Sequence, residues 1–430
     1  MNALVVEKTD RLTGTIRAPP SKAETHRAII TTAFSPGKSR IKNALICDDT
    51  LATIKTCSML GVKIRKNQQD FEINGEEYPT TPTDIIHCRD SGSTVRFIAP
   101  ICALTQGISV LTGNEGLKKR PMEPMLNALR QLDVRCISTR RNGRLPIIVF
   151  GGGIEGGRTS IRGDISSQFV SGLLFGLPKA RQDTKIILTS PAESKPYIKL
   201  TLSFLQKHGI KVEYSSDFGW FNVPGNQKSI PCDHQIAGDY SSAAFPLAAA
   251  SIIDSRIKLT NLLDETLQGD QIILDILRKM GVSLRKYGKY VEVENQKKDL
   301  AGITVNVKDI PDLAPICTVL ACYARGDSKI YGIKRLRFKE SDRSHSISEE
   351  LRKMGGKVKE YEEFIMVKGR SRLHGTELNS HNDHRIAMAL TIAALGAEGN
   401  STIHGIECIN KSYPNFIEDL KTLGGQVYVK

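Results

Sequence analysis

The sequence carries one tryptophan in 430 residues, and aromatic side chains make up 6% of it. Its basic patches are short, as at Arg140-Arg141, and none is interleaved with aromatics, so a surface that stacks nucleic-acid bases is not expected. No apolar run approaches the ~20 residues that a membrane span needs. The opening residues, MNALVVEKTDRLTG, lack a basic-then-apolar leader, so the expected compartment is the cytoplasm. Nine cysteines stand at 47, 57, 88, 102, 136, 232, 317, 322 and 408, without a C-x-x-C pair. An odd number of thiols in apolar runs reads as reduced core residues, not disulfides. His384 is not read as a metal ligand, so no metal is expected.

What the chain does have is positive charge and a repeat. Net charge is +14, from 60 Lys+Arg against 46 Asp+Glu, which favours an anionic partner, phosphorylated metabolite or nucleic acid. A chain of this length exceeds one ordinary core and predicts two or three domains. A short polar cluster running into a small-residue apolar helix recurs six times, at Ser21, Asp90, Asp164, Asp239, Pro311 and Asn382. The starts are separated by 69, 74, 75, 72 and 71 residues. Each phrase is followed by a strand-like run and a second helix ending in a similar cap: MLGVKI, QLDVRC, KHGIKV, KMGVSL, KMGGKV and TLGGQV. Five of the six caps place Gly just past the last turn, where a left-handed residue ends a helix at little cost.

The expected fold is therefore α/β: six βαβαββ repeats in two lobes of three, packed around buried helices as an inside-out barrel. Residues 19–235 are expected to form one lobe, and residues 1–18 with 236–430 the other. The crossovers fall near 18–20 and 236–238, a hinge beside a substrate cleft. The glycines at 151–153 and 156–157 read as an inter-repeat turn, since no Lys-Ser/Thr follows them as in a phosphate loop.

The densest polar stretch is Arg337–Arg343, where five of seven residues are charged. If it opens the helix that follows, Lys339 and Arg343 share a face and repel, and both sit at the positive end of the helix dipole. An anion would relieve both penalties. The helix starts carry the expected N-caps Ser21, Asp90, Asp164 or Ser166, Asp239 and Asp312. Capping alone accounts for several of these; free N–H groups holding phosphate or carboxylate is the other reading. Ser166-Ser167-Gln168 offers more oxygen and amide groups than a cap uses. Further cations, Lys22, Arg27, Arg96, Arg120, Arg385 and Lys411, stand in apolar or turn settings.

In order along the chain, these phrases resemble the 5-enolpyruvylshikimate-3-phosphate synthase family. The matching residues are Pro20-Ser21-Lys22 with Arg27, Ser91–Arg96, Leu111–Gly113 with Arg120-Pro121, Ser166–Phe169 and Ser194–Tyr197. Gly238-Asp239, Pro311-Asp312, Arg337–Arg343, Asn382–Arg385 and Lys411–Pro414 continue the match. The resemblance implies transfer of the enolpyruvyl group of phosphoenolpyruvate to the 5-hydroxyl of shikimate-3-phosphate, with release of phosphate. It implies no metal or organic cofactor, a monomer, and no nucleic-acid or membrane partner.

By the same resemblance Asp312, Glu340 and Lys22 are the catalytic candidates. Shikimate-3-phosphate would be held by Lys22, Ala23, Arg27, Ser166, Ser167, Gln168, Ser194, Tyr197, Asp312, Arg335 and Lys339. Phosphoenolpyruvate would be held by Lys22, Gly92, Arg120, Gln168, Arg343, Arg385 and Lys411, with a Cβ at Gly92 expected to intrude on it. Ala23, Asp90 and Arg335 depart from the usual Ser, Asn and Asn. Ala23 removes one hydroxyl contact, worth about 0.5–1.5 kcal/mol.

Two other readings compete. The related transferase acting on UDP-N-acetylglucosamine carries a reactive Cys before an Arg-Pro, and Gly113–Arg120 contains none. A basic repeat protein could bind RNA, but the stacking aromatics are missing.

Overall fold

The structure, a computed structural model, describes residues 2–296 and 299–430. The chain divides into two compact units, Ser21–Ile236 and Met1–Pro20 with Ala237–Lys430. Each has its own hydrophobic core.

In the first unit the buried helices are α1 (Lys22–Ala33), α3 (Gly92–Cys102) and α6 (Ser167–Gly176). They alternate with α2 (Asp48–Met59), the short α4 (Glu115–Lys118), α5 (Glu123–Arg130) and α7 (Lys195–Lys207). The second unit has buried α8 (Tyr240–Ile252), α10 (Ala314–Tyr323) and α12 (His384–Leu395), alternating with α9 (Ile273–Lys279), α11 (Arg343–Lys353) and α13 (Phe416–Thr422). The two sets differ as their sequences dictate. Along α8 every residue from Tyr240 to Ser251 is buried, which its run of alanines permits. By contrast α5 buries only Met125, Leu126, Ala128 and Leu129, one face of an amphipathic helix.

The described strands form six four-stranded sheets, three per unit, each with one parallel pair and two antiparallel pairs. In four of the sheets the strand before a buried helix runs parallel to the strand after it, and in five an antiparallel hairpin completes the sheet. Strand burial alternates, as in Ser328–Tyr331, so each sheet turns one face to the helices and one outward. The expected repeat is thus realised six times. Three sheets are closed by distant chain, one of them by His234 and Gln235 lying parallel to Ile41 and Lys42. Arg11–Arg17 lies parallel to Asp254–Thr260, and Ala3–Val6 is paired between Ser401–His404 and Val427–Val429.

The helix-ending glycines Gly61, Gly209, Gly281, Gly355 and Gly424 all have positive φ, between +78° and +99°. In the repeat without glycine, Asp133 adopts the same left-handed conformation at φ 60°. No described helix is long and apolar enough to cross a membrane. All nine cysteines are free, and all but Cys232 are buried.

Candidate functional site

The polar helix starts gather separately in each unit. In the first, α1 opens at Ser21, whose side chain accepts from the Glu24 N–H, and α3 opens at Ser91, which accepts from Thr94. Ser166 caps α6 by accepting from the Gln168 N–H. Side chains then tie these starts together. Lys22 Nζ reaches Asp49 Oδ2 in the first turn of α2 at 3.0 Å. Gln168 accepts from Arg96 Nη1 at 2.6 Å and donates to Ser93 Oγ at 2.9 Å, bridging α3 and α6. A chain of hydroxyls, Thr53 to Thr94 to Ser91, links α2 to α3, with His26 of α1 on Thr53 at 2.8 Å.

Arg27 is drawn into this frame. Its Nε donates to Thr201 Oγ1, and its two terminal nitrogens donate to the carbonyls of Ala23 and Tyr197, at 2.8–2.9 Å. Burial pulls its pKa down to about 10. In this state Arg27 locks α1 to α7. Tyr197 stacks near the same guanidinium, 5.9 Å from its ring centre. Ser194, just before α7, takes a left-handed backbone at φ 52°, and its buried hydroxyl has no hydrogen-bond partner among the described residues.

Gly92 is the first residue of α3, and Arg120 lies against it. A Cβ built on Gly92 would stand 2.5 Å from Arg120 Nη1 and 2.9 Å from its Cζ. The need for glycine expected from the substrate side therefore has a nearer cause: the Arg120 guanidinium itself occupies that space.

In the second unit the stretch Arg337–Arg343 differs from the expected helix opening. A 3₁₀ turn covers Lys334–Phe338, Lys339 is extended at φ −85°, ψ −158°, and α11 starts only at Arg343. Asp342 is its cap, accepting from the His345 N–H. Lys339 and Arg343 thus do not share a helical face, and the repulsion expected between them is relieved by backbone geometry and by carboxylates.

Arg343, 1% exposed, is the hub of those carboxylates. Its Nη1 donates to Asp312 Oδ1 at 2.7 Å, its Nη2 to Glu340 Oε2 at 2.7 Å, and its Nε to Asp383 Oδ2 at 2.8 Å. Asp383 also caps α12 by accepting from the Arg385 N–H, and receives the Ser341 hydroxyl at 3.2 Å. Arg385 Nη2 donates to the other oxygen of Asp312 at 3.1 Å. Lys411 Nζ holds the Asn382 carbonyl at 3.1 Å, where His381 and Asn382 are both left-handed. Arg335 is buried in the 3₁₀ turn just ahead of Lys339.

Two expected caps are reassigned. Ser91, not Asp90, caps α3; Asp90 instead accepts from the Asn114 amide at 3.0 Å. Asp312 does not cap α10, whose N-cap is Leu313, because both of its oxygens are taken by arginines.

Burial pushes the Asp312 pKa up, but Arg385, Arg343 and Lys339 outweigh it and hold the carboxyl well below its usual range. Lys339 is 3.9 Å from Asp312, yet burial and the nearby Arg335 draw its ammonium down to about 7. Arg343 is raised well above its usual value: Asp383, Glu340 and Asp312 overcome the cost of burying it.

The structure thus gathers Asp312, Glu340, Arg343, Lys339 and Arg385 into one network, with Lys411 bonded to the loop that leads into α12. In the other unit it places Lys22, Gln168, Arg120, Gly92, Ser166 and Ser167 at the starts of α1, α3 and α6. Sequence reading missed Asp49, the partner of Lys22, and the central role of Asp383. Both are through-space partners, 27 and 40 residues from the cations they bind.

Comparison with known proteins bears on the family and the fold. Residues 6–420 match the family described as EPSP synthase (3-phosphoshikimate 1-carboxyvinyltransferase). The chain is 44% identical to the 3-phosphoshikimate 1-carboxyvinyltransferase of Methanocaldococcus jannaschii, covering 100% of both. It is 39% identical to that of Methanococcus maripaludis, over 99% of this chain and 100% of the relative. The solved EPSP synthase of Acinetobacter baumannii superimposes with a TM-score of 0.84 at 26% identity, covering 100% of both chains. The chain belongs to the EPSP synthase (3-phosphoshikimate 1-carboxyvinyltransferase) family.

Proposed function

We infer that this chain transfers the enolpyruvyl group of phosphoenolpyruvate to the 5-hydroxyl of shikimate-3-phosphate and releases phosphate, a step of aromatic amino acid biosynthesis. The observation that carries this reading furthest is the Arg343 hub, which joins by one guanidinium the two carboxylates that the reaction needs as base and acid. In the addition step Asp312 takes the proton of the 5-hydroxyl as its oxygen attacks C2, and C3 receives a proton from Glu340, with Lys22 assisting. In the elimination step the C2–O bond to phosphate breaks and the new methyl group returns a proton. Acid and base therefore reverse roles between steps.

The network holds both carboxylates in ion pairs, where Asp312 is a poor proton acceptor. Phosphate and carboxylate groups of the substrates compete for Arg343, Arg385 and Lys339. As these cations turn to the substrates, the proton affinity of Asp312 rises toward the range in which it acts, and Glu340 is released from Arg343. The same cations then stabilise the charge that develops in the transition state.

For shikimate-3-phosphate we assign Ser166, Ser167, Ser194 and Lys339 to the phosphate, Arg27 to the carboxylate and Tyr197 to the ring, with Lys22, Ala23, Gln168, Asp312 and Arg335 alongside. Arg27 reaches the carboxylate only by exchanging one of its present carbonyl bonds. For phosphoenolpyruvate we assign Lys22, Arg120, Gln168, Arg343, Arg385 and Lys411, with the Gly92 backbone beside them. No cofactor enters this scheme. We place the protein in the cytoplasm as a monomer without nucleic-acid or membrane partners; its nine free cysteines support the compartment.

The test is phosphate release by the purified protein. Release is expected only with both substrates present, and release indifferent to shikimate-3-phosphate would overturn the reading.

A further inference from the structure

Asp270 is a buried carboxyl that the proposed chemistry does not use. It is 1% exposed, in the 3₁₀ turn Gly269–Ile272 that docks on the start of α8. Its Oδ2 accepts the Ser241 hydroxyl, and its Oδ1 has no hydrogen-bond partner among the described residues. The groups that face it come from three helices: Ser241 and Asp239 on or capping α8, Asp312 and Cys317 at α10, and Arg385 on α12. Arg385 donates from Nη2 to Asp312, while its buried Nε and Nη1 have no hydrogen-bond partner among the described residues.

A bare carboxylate oxygen and two bare guanidinium nitrogens in one buried cluster would be driven to pair if both groups were charged. They are not paired. That absence is the pattern of a carboxylic acid, even though the Ser241 hydroxyl on Oδ2 favours the charged form. Burial and the charge of Asp312 push Asp270 the same way, up to about 7 against the pull of Ser241 and Arg385.

We propose that Asp270 is a positioning residue for phosphoenolpyruvate: as a neutral acid it leaves two nitrogens of Arg385 available to the anionic substrate, and on ionising it captures that guanidinium. This rests on the reaction proposed above and on the assignment of Arg385 to phosphoenolpyruvate. The ionised form adds negative charge beside the anion site and turns Arg385 toward Asp270. The neutral form does neither.

The measurement is the KM for phosphoenolpyruvate at saturating shikimate-3-phosphate, from about pH 6.5 to about pH 9, where the side chain changes charge. In the wild type KM is expected to climb about tenfold across this range, the order of one added charge near the site. Asp270→Asn, which mimics the neutral acid, is expected to keep the low KM throughout, and kcat should follow the same profile in both. Titration of Lys339 is common to the two proteins, so the difference between their profiles isolates Asp270. An Asp270→Asn variant that retains the full wild-type rise would overturn the proposal, whereas a wild type without turnover would overturn the reaction instead. Ser241→Ala supplies a second reading that leaves the carboxyl in place: loss of the hydroxyl that favours the charged form should move the rise in KM to higher pH. An unmoved rise would count against the proposal. Infrared difference spectra should show a protonated-carboxyl band in the wild type at pH 6.5 that Asp270→Asn lacks, and a wild type without that band also overturns it.

Discussion

Replacing Gly92 by Ala separates binding from stability in a way that the structure makes quantitative. Gly92 begins α3 without a positive φ, so alanine fits the backbone, and the helix itself gains slightly. The new Cβ, however, would lie 2.5, 2.9 and 3.0 Å from Nη1, Cζ and Nη2 of Arg120. Carbon packs at about 3.5–4.0 Å, so the guanidinium must retreat by about 1 Å. Because the obstruction is the end of a flexible side chain, the fold yields without unfolding. A displaced guanidinium loses a charge-assisted hydrogen bond to its anion, worth about 1.5–3 kcal/mol. Since 1.4 kcal/mol is tenfold, KM for phosphoenolpyruvate should rise by about 10-fold to 150-fold. KM for shikimate-3-phosphate, kcat and the thermal midpoint should stay near wild type. Steady-state kinetics with each substrate varied, alongside a melting curve, gives all four quantities. A phosphoenolpyruvate KM within twofold of wild type, with the fold intact, would refute the placement of Arg120 at this substrate.

Three further outcomes follow from other parts of the molecule. Asp312→Ala and Glu340→Ala should each lower turnover by about 100-fold to 10,000-fold, the range of a lost general acid or base, while shikimate-3-phosphate still binds; full activity in either variant removes that residue from proton transfer. Lys339 has a folded-state pKa of about 7, below its ordinary 10.5, so above neutrality it is largely neutral until a phosphate restores its charge. Binding of shikimate-3-phosphate alone at about pH 8 should then take up protons and weaken as pH rises, measured by calorimetry in buffers of different ionisation heat; pH-independent binding without uptake would contradict this. Finally, Asp133→Gly should raise stability by about 0.5 kcal/mol, because relief of the left-handed strain exceeds the chain entropy that glycine adds. A lowered denaturation midpoint would show that the Asp133 side chain contributes more than its backbone costs.

What the sequence made legible was whatever is locally determined. The helix-ending caps needed one left-handed residue each, and that steric demand selects glycine visibly at Gly61, Gly209, Gly281, Gly355 and Gly424. The all-apolar runs of α8 and α12 likewise announced buried helices, and the regular spacing of the six phrases announced six sheets. Partner choice was not legible, because it is set by folding. A capping aspartate and an ion-pairing aspartate look alike before a helix. Asp239 does cap, accepting from the Ser242 N–H, whereas Asp312 is claimed by Arg343 and Arg385, 31 and 73 residues away. The start of α11 was misplaced for a related reason. The charges of 337–343 suggested a helix opening, but Asp342 is the capping residue, so the helix begins after Lys339 and Glu340.

That placement has a consequence for how the second unit can hold so much charge. Lys339, Arg343 and Arg385 converge on Asp312, Glu340 and Asp383, so each cation within the network finds a carboxylate there. Had Lys339 and Arg343 stood on one helical face with only solvent between them, the protein would carry their repulsion. Instead the carboxylates proposed to serve the chemistry, with Asp383, also balance Arg343 and Arg385. An anionic substrate must compete with them, which lowers its net affinity, since separating a buried ion pair is costly. In the proposed reaction, that competition returns basicity to Asp312. Binding energy from the phosphate and carboxylate groups is thereby converted into proton-transfer capacity at the reacting carbons. A truncated substrate without its phosphate should therefore lose kcat as well as affinity, because fewer arginine bonds would be drawn away from the two carboxylates.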